Sequence, residues 1–240
     1  MTPKLDLKAL IANPPKLHDR DGVLISNWRI DDTTCFALDR RLSPGMKTLE
    51  TGAGLSTIIF AANDCEHTAI MPDQGLADRI VAACQAGHIS TKKTKFIVSS
   101  STDAIYQQSS GYDLILIDGT HGFPAALVDF YHATKMLKIG GTLIIDDMHI
   151  YTCKLIASFM QEDAGWNTEL FTDRVAIGTK VADTIDKEWN KQAFVTRRSA
   201  GAPTFSKPMV ALKATIAKLR NDGLAPTIKK IAQKVRQTPI

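Results

Sequence analysis

The stretch Met46-Lys47-Thr48-Leu49-Glu50-Thr51-Gly52-Ala53-Gly54-Leu55-Ser56-Thr57 decides the reading of this 240-residue chain. A short strand, 46–50, runs directly into a glycine-spaced turn, and an apolar helix over 55–63 follows. Glycine lets the backbone turn tightly and approach a ligand closely. The helix that follows opens with unpaired N–H groups suited to an anion. A dinucleotide fingerprint would place a third glycine at position 57, which is Thr57, so a pyrophosphate site is disfavoured. Glu50, leading the turn, suits a cationic portion of a ligand. Taken alone, the glycine spacing is equally a plain tight turn.

Outward from that turn the pattern repeats. Strands are expected at 66–71, 95–99, 113–117 and 142–145, and helices at 76–86, 124–137 and 151–162. Gly140-Gly141 is read as a turn, and 168–171 with 175–180 as a closing hairpin. Before the turn, helices are expected over 4–12 and over 31–42, the latter capped by Asp31 or Asp32. The run Leu114-Ile115-Leu116-Ile117 is apolar without alternation, as a strand buried on both faces requires. Strands alternating with helices imply parallel βαβ units. The fold class is therefore α/β: a doubly wound, mostly parallel sheet with a closing antiparallel hairpin and a helical, basic C-terminal tail. Residues 1–45 read as an N-terminal helical cap, 46–182 as the ligand-binding domain, and 183–240 as the extension.

Composition narrows the class. With 44% hydrophobic and 22% charged residues, disordered, collagen-like and coiled-coil chains are excluded. No apolar run approaches the roughly 18 residues of a membrane helix. The N-terminus shows no secretory h-region, and four scattered cysteines (Cys35, Cys65, Cys84, Cys153) form no CxxC pair. Reduced thiols in the cytoplasm are the expectation. Residues 1–182 carry 17 Lys and Arg against 21 Asp and Glu, a net of −4; residues 183–240 carry 12 against 4, a net of +8. Two amphipathic patterns, Met209 to Leu219 and Leu224 to Val235, lie in that tail. The segment 207–236 thus reads either as a solvated helical surface or as a contact for an anionic membrane or a partner. Nucleic acid is disfavoured because the tail has little aromatic interleaving.

Open α/β sheets bind ligands beyond the carboxyl ends of their strands. Here those ends hold Glu50 with the glycines, Asp118, and Asp146-Asp147. Three carboxylates in one crevice repel each other, and a divalent cation, Mg²⁺ or Mn²⁺, would relieve the cost. The alternative is that the acids bind a cofactor and cap a helix without metal. His121, three residues past Asp118, titrates near neutral pH and is the candidate general base.

The motif LETGAGLST, with IDGTHGFPAALVDFY and LKIGGTLIIDDMHI, resembles class I S-adenosylmethionine-dependent methyltransferases. The resemblance is to the bacterial subgroup related to catechol O-methyltransferase and the macrolide-sugar O-methyltransferases, and it covers about 43–180. It implies a Rossmann-like methyltransferase fold with S-adenosylmethionine as cofactor. It implies that Gly52 and Gly54 line the methionine portion and that Glu50, Ser56 and Thr57 hold its end. Asp73 stands near the position of the ribose-binding acid, displaced by a residue or two, and also reads as a helix cap. Ser100 and Ser101 stand where the family meets adenine, and also read as a simple turn. The metal-dependent relatives imply Asp118, Asp146 and Asp147 as Mg²⁺ ligands with His121 as base. The expected function is Mg²⁺-dependent O-methylation of a hydroxylated small molecule or sugar, with a homo-oligomer left open. The alternatives are a metal-independent methyltransferase and a non-catalytic binding protein docking through its basic tail. Trp28, Phe123, Met148 and Tyr151 are candidates for the acceptor pocket.

Overall fold

The structure is a computed structural model that describes residues 5–200. The amphipathic tail patterns at 209–235 lie outside the described residues. In chain order the elements are α1 (Leu7–Ala12), β1 (His18–Arg20), β2 (Val23–Ile25), α2 (Asp32–Asp39), β3 (Lys47–Thr51), α3 (Leu55–Ala62), β4 (Glu66–Met71) and α4 (Gln74–Ala86). They continue with β5 (Thr94–Val98), α5 (Ser101–Ala104), β6 (Tyr112–Ile117), α6 (Ala125–Met136), β7 (Leu137–Asp146), α7 (Tyr151–Glu162), β8 (Trp166–Phe171), β9 (Val175–Lys180) and α8 (Ala193–Ala200).

Seven strands form one sheet in the order β5-β4-β3-β6-β7-β9-β8. The first five are mutually parallel, and β9 and β8 close the edge antiparallel. The unbroken apolar run of β6 is explained by its two faces. Leu114 and Leu116 pack into one core with Leu38, Phe60 and Ile80; Ile115 and Ile117 pack into the other with Phe130, Ile156 and Met160. Because the chain winds from β3 to β5 on one side and resumes at β6 on the other, the switch point falls between β3 and β6.

Two expectations change. Gly140-Gly141 does not end an element but lies inside β7, which runs ten residues. Gly140 takes φ +84°, and the β6–β7 register shifts between Tyr112 and Leu114, so the glycines serve a bulge within the strand. The N-terminal segment also holds a two-stranded antiparallel hairpin, β1–β2, that the helical cap reading left out. Its turn is Asp21-Gly22, both at positive φ, a dipeptide that favours tight hairpins. Asp31 caps α2 by accepting from the Thr34 backbone N–H. Among the described residues no helix is long and apolar enough to cross a membrane.

Candidate active site

Gly52 sits at the switch point with φ +89°, and its N–H donates to the Ile70 carbonyl (2.9 Å). The next strand end is tied in by the Asp118 N–H, which donates to the Thr51 carbonyl (2.9 Å). A Cβ at Gly52 would run into the Asp118 carbonyl, so only glycine lets the two strand ends approach this closely. Above them opens a cavity of about 940 Å³. Its floor is Gly52, Ala53, Asp118 and Gly119; its β4–β5 wall is Met71, Asp73, Ser100 and Ser101. The opposite wall carries His121, Asp146, Asp147 and Arg174, and the N-terminal segment contributes His18, Asn27 and Trp28. The volume is at the upper end of typical ligand pockets, ~300–1,000 Å³.

Glu50 is fully buried beneath the turn. The Thr57 hydroxyl donates to its Oε1, and His67 Nε2 stands 3.1 Å from the same oxygen. Thr57 Oγ1 also accepts from the Gly54 N–H (3.0 Å), closing the start of α3. Glu50 Oε2 is buried with no partner. Ser56 and Thr57 are both buried and neither lines the cavity; Thr57 is engaged with Glu50 and the turn. Gly54 faces His18, whose Nε2 would lie 3.0 Å from a Cβ there.

Asp73 lines the cavity and also caps α4, accepting from the Gly75 N–H (2.8 Å), with Arg79 Nη2 2.8 Å from its other oxygen. Arg79 Nε donates to the Leu17 carbonyl and so ties α4 to the N-terminal segment. Ser101 Oγ donates to the buried Asp129 (2.8 Å), whose carboxyl is raised by burial.

Asp118, His121 and Asp147 come together: one donor atom from each lies within 4.8 Å of the others. His121 Nε2 is 3.7 Å from Asp118 Oδ1 and 3.3 Å from Asp147 Oδ2. Its Nδ1 meets the Cys153 thiol at 3.3 Å, and the Thr152 hydroxyl donates to its carbonyl. Burial alone would lower the imidazole, but the two carboxylates outweigh it and raise His121 well above the ordinary histidine range. Asp147, at φ +55°, is held low chiefly by His121, with Arg174 Nη2 3.2 Å away.

Asp146 is engaged differently from Asp147. It is buried, accepts a hydrogen bond from Thr34 Oγ1 (2.8 Å), and is not in the three-donor group. Asp147 lies just past the end of β7 at φ +55°, so its side chain turns to His121 and Arg174 while that of Asp146 meets Thr34. Burial and the neighbouring Asp118 raise the Asp146 carboxyl, and burial likewise raises Asp118. Of the acceptor candidates, Trp28 lines the cavity, Met148 is core, and Phe123 and Tyr151 are exposed outside the lining. Sequence reasoning gave no role to His18, His67 or Arg174. The Asp21-Gly22 hairpin signal could have brought His18 over the turn; nothing local marks the other two.

The donors fit the groups that such a site takes. A glycine turn on the cavity lining, two residues past a carboxylate with a buried unpartnered oxygen, suits a cofactor with a cationic end. Two carboxylates and an imidazole at common reach suit a divalent cation. The fold is the Rossmann-like α/β fold that the solved structures below share. Residues 49–148 match the model of a family described as methyltransferase domain. Among similar solved structures is the O-methyltransferase TomG from Streptomyces achromogenes in complex with S-adenosylmethionine. It is 13% identical, with TM-score 0.57 over 66% of this chain and 84% of that one. Cofactor-bound Rv0187 from MTB is 16% identical, with TM-score 0.53 over 63% and 81%. A methyltransferase from Geobacter sulfurreducens is 14% identical, with TM-score 0.54 over 65% and 82%. No curated protein sequence matches the chain.

Proposed function

We propose that this chain is a class I S-adenosylmethionine-dependent O-methyltransferase, passing the methyl group of S-adenosylmethionine to a hydroxyl of a small molecule or a sugar. The observation that carries the reading is the His121 imidazole held between Asp118 and Asp147 at the cavity wall, beside the glycine turn. When bound, S-adenosylmethionine supplies an activated methyl group. Gly52 and Gly54 would admit its methionine portion, with Glu50, Ser56 and Thr57 securing that end from beneath. Asp73 would take the ribose hydroxyls, and Ser101 stands by the base. In this reading 46–182 is the catalytic domain, 1–45 its cap and 183–240 an extension, all in the cytoplasm, where the four free cysteines stay reduced.

His121 accepts the proton of the acceptor hydroxyl. Its own proton is held by two carboxylates, so it is free to accept another only when one of them is otherwise engaged and that proton has left. Mg²⁺ or Mn²⁺ would be held by Asp118 and Asp147, with Asp146 adjoining, and would lower the pKa of a coordinated hydroxyl. A metal-independent variant of the same reaction is favoured by one observation: Arg174 and His121 already balance Asp147, and Thr34 already engages Asp146. The test is methylation of a panel of vicinal diols, lone alcohols and amines, with Mg²⁺ and with EDTA. Turnover of diols that stops in EDTA is expected. Turnover of amines alone overturns O-methylation, and full turnover in EDTA overturns the metal.

A further inference from the structure

We infer that His67 is a positioning residue for the methyl donor: together with Thr57 it saturates one oxygen of Glu50 and reserves the other for the donor's ammonium end. The inference rests on the methyltransferase reading. It concerns a residue on β4 that does not line the cavity.

Register places the parts. Thr48 and His67 are direct partners across β3 and β4, and Glu50 is two residues beyond Thr48, on the same face of its strand. The His67 ring is fully enclosed and stacks on Phe60 at 4.1 Å and 13°. Both ring nitrogens are engaged, Nδ1 with Thr48 Oγ1 at 2.9 Å and Nε2 with Glu50 Oε1 at 3.1 Å. Only a hydrogen on Nε2 makes the second contact a hydrogen bond to a carboxylate, so the Thr48 hydroxyl donates to Nδ1. The ring is thereby fixed in one tautomer.

Glu50 Oε1 then receives two donors, His67 and Thr57, while Oε2 receives none in a site closed to solvent. A buried carboxylate oxygen without a donor is costly. A carboxylate serving only to brace the turn would spread its donors over both oxygens. This one is pinned through one oxygen and keeps the other for a donor that arrives from outside. The group must be cationic or strongly donating, and it must lie near Gly52 and Ala53, which line the cavity two and three residues on. The ammonium of the amino-acid end of S-adenosylmethionine has that chemistry, acting on Oε2 directly or through one water.

The test compares two ligands by calorimetry: S-adenosylhomocysteine, and 5′-methylthioadenosine, which keeps the nucleoside and thioether but lacks the amino-acid end. Replacing His67 with Phe keeps the stack on Phe60 and removes the donor; His67→Gln restores an N–H. His67→Phe is expected to weaken S-adenosylhomocysteine about tenfold, the worth of one charge-assisted hydrogen bond, with 5′-methylthioadenosine unchanged within about twofold. His67→Gln is expected to recover most of the loss. Equal losses for both ligands, or no loss for either, overturn the inference. If His67→Phe does not fold, Thr48→Val, an isosteric change at the Nδ1 partner, carries the same selective expectation. Wild-type protein that binds both ligands equally sinks this inference alone; wild-type protein that binds neither sinks the methyltransferase reading beneath it.

Discussion

On the β3–β4 side of the crevice, Glu50, Thr57 and His67 are sealed from solvent and joined by hydrogen bonds to one another and to the backbone of the glycine turn. On the β6–β7 side, Asp118, His121 and Asp147 are partly exposed and joined by charge, with Arg174 and His149 gathered around Asp147. One side shapes a cradle whose geometry is set by backbone and burial. The other is a set of titratable groups whose protonation each neighbour controls. In the proposed reaction the methyl donor carries its own activation and needs mainly placement, which the first side would give. The hydroxyl acceptor would lose a proton, which the second side would handle.

The comparison breaks most decisively at Gly52. Gly52→Ala places a Cβ against the Asp118 carbonyl in a left-handed backbone, so both sides should distort together. A stability loss of ~2–4 kcal/mol is expected, with cofactor binding lost, read by thermal unfolding and calorimetry. His121→Ala should separate the sides instead. Methyl transfer is expected to fall by about 10²–10⁴ with S-adenosylmethionine affinity kept. An unchanged rate would remove His121 from the chemistry.

Asp146→Asn sharpens the electrostatic half of the contrast. The Asp146 carboxyl is raised in the folded protein, so over the pH range above the ordinary carboxylate value near ~4 the folded state holds more protons than the unfolded state. Stability contributed by this group is therefore present at low pH and falls as pH rises toward the raised value. Asn keeps an acceptor for Thr34 without a charge, so the variant should melt higher than wild type at pH 8 and show little difference at pH 4. A wild-type melting curve that rises over that range because of this residue would refute the assignment. Mg²⁺, if held at Asp118 and Asp147, should raise the melting temperature at pH 8 more than at pH 5, since its ligands must be deprotonated. Asp118→Asn should abolish the rise. Smallest of all, Arg41→Ala removes a partly exposed pair with Glu169 away from both sides, with at most ~1 kcal/mol expected and catalysis unaffected.

Much of the architecture was legible because it is local. The apolar run 114–117, the strand 66–71 and the helix 151–162 each announce themselves by composition and period, and their bounds differ little from the observed elements. The bulge at Gly140-Gly141 was not legible, since a glycine pair reads alike in a turn and in a bulged strand. Nor was the short hairpin at 18–25, where three-residue strands give too little pattern to register despite the Asp21-Gly22 turn.

The sequence alone determined that glycines follow the first sheet strand, that acids end β6 and β7, and that a histidine stands three residues past one of those acids. Those are facts of order along the chain, and a parallel sheet converts order into one shared edge. Which acids meet, and which side chains face them, was decided only in three dimensions. Asp146 and Asp147 are adjacent in sequence, yet one is drawn to Thr34 and the other to His121 and Arg174. The division arises where β7 ends at Asp146 and the backbone enters a left-handed turn at Asp147. His67, 17 residues from Glu50, reaches it only because β3 and β4 pair in the one register that buries both.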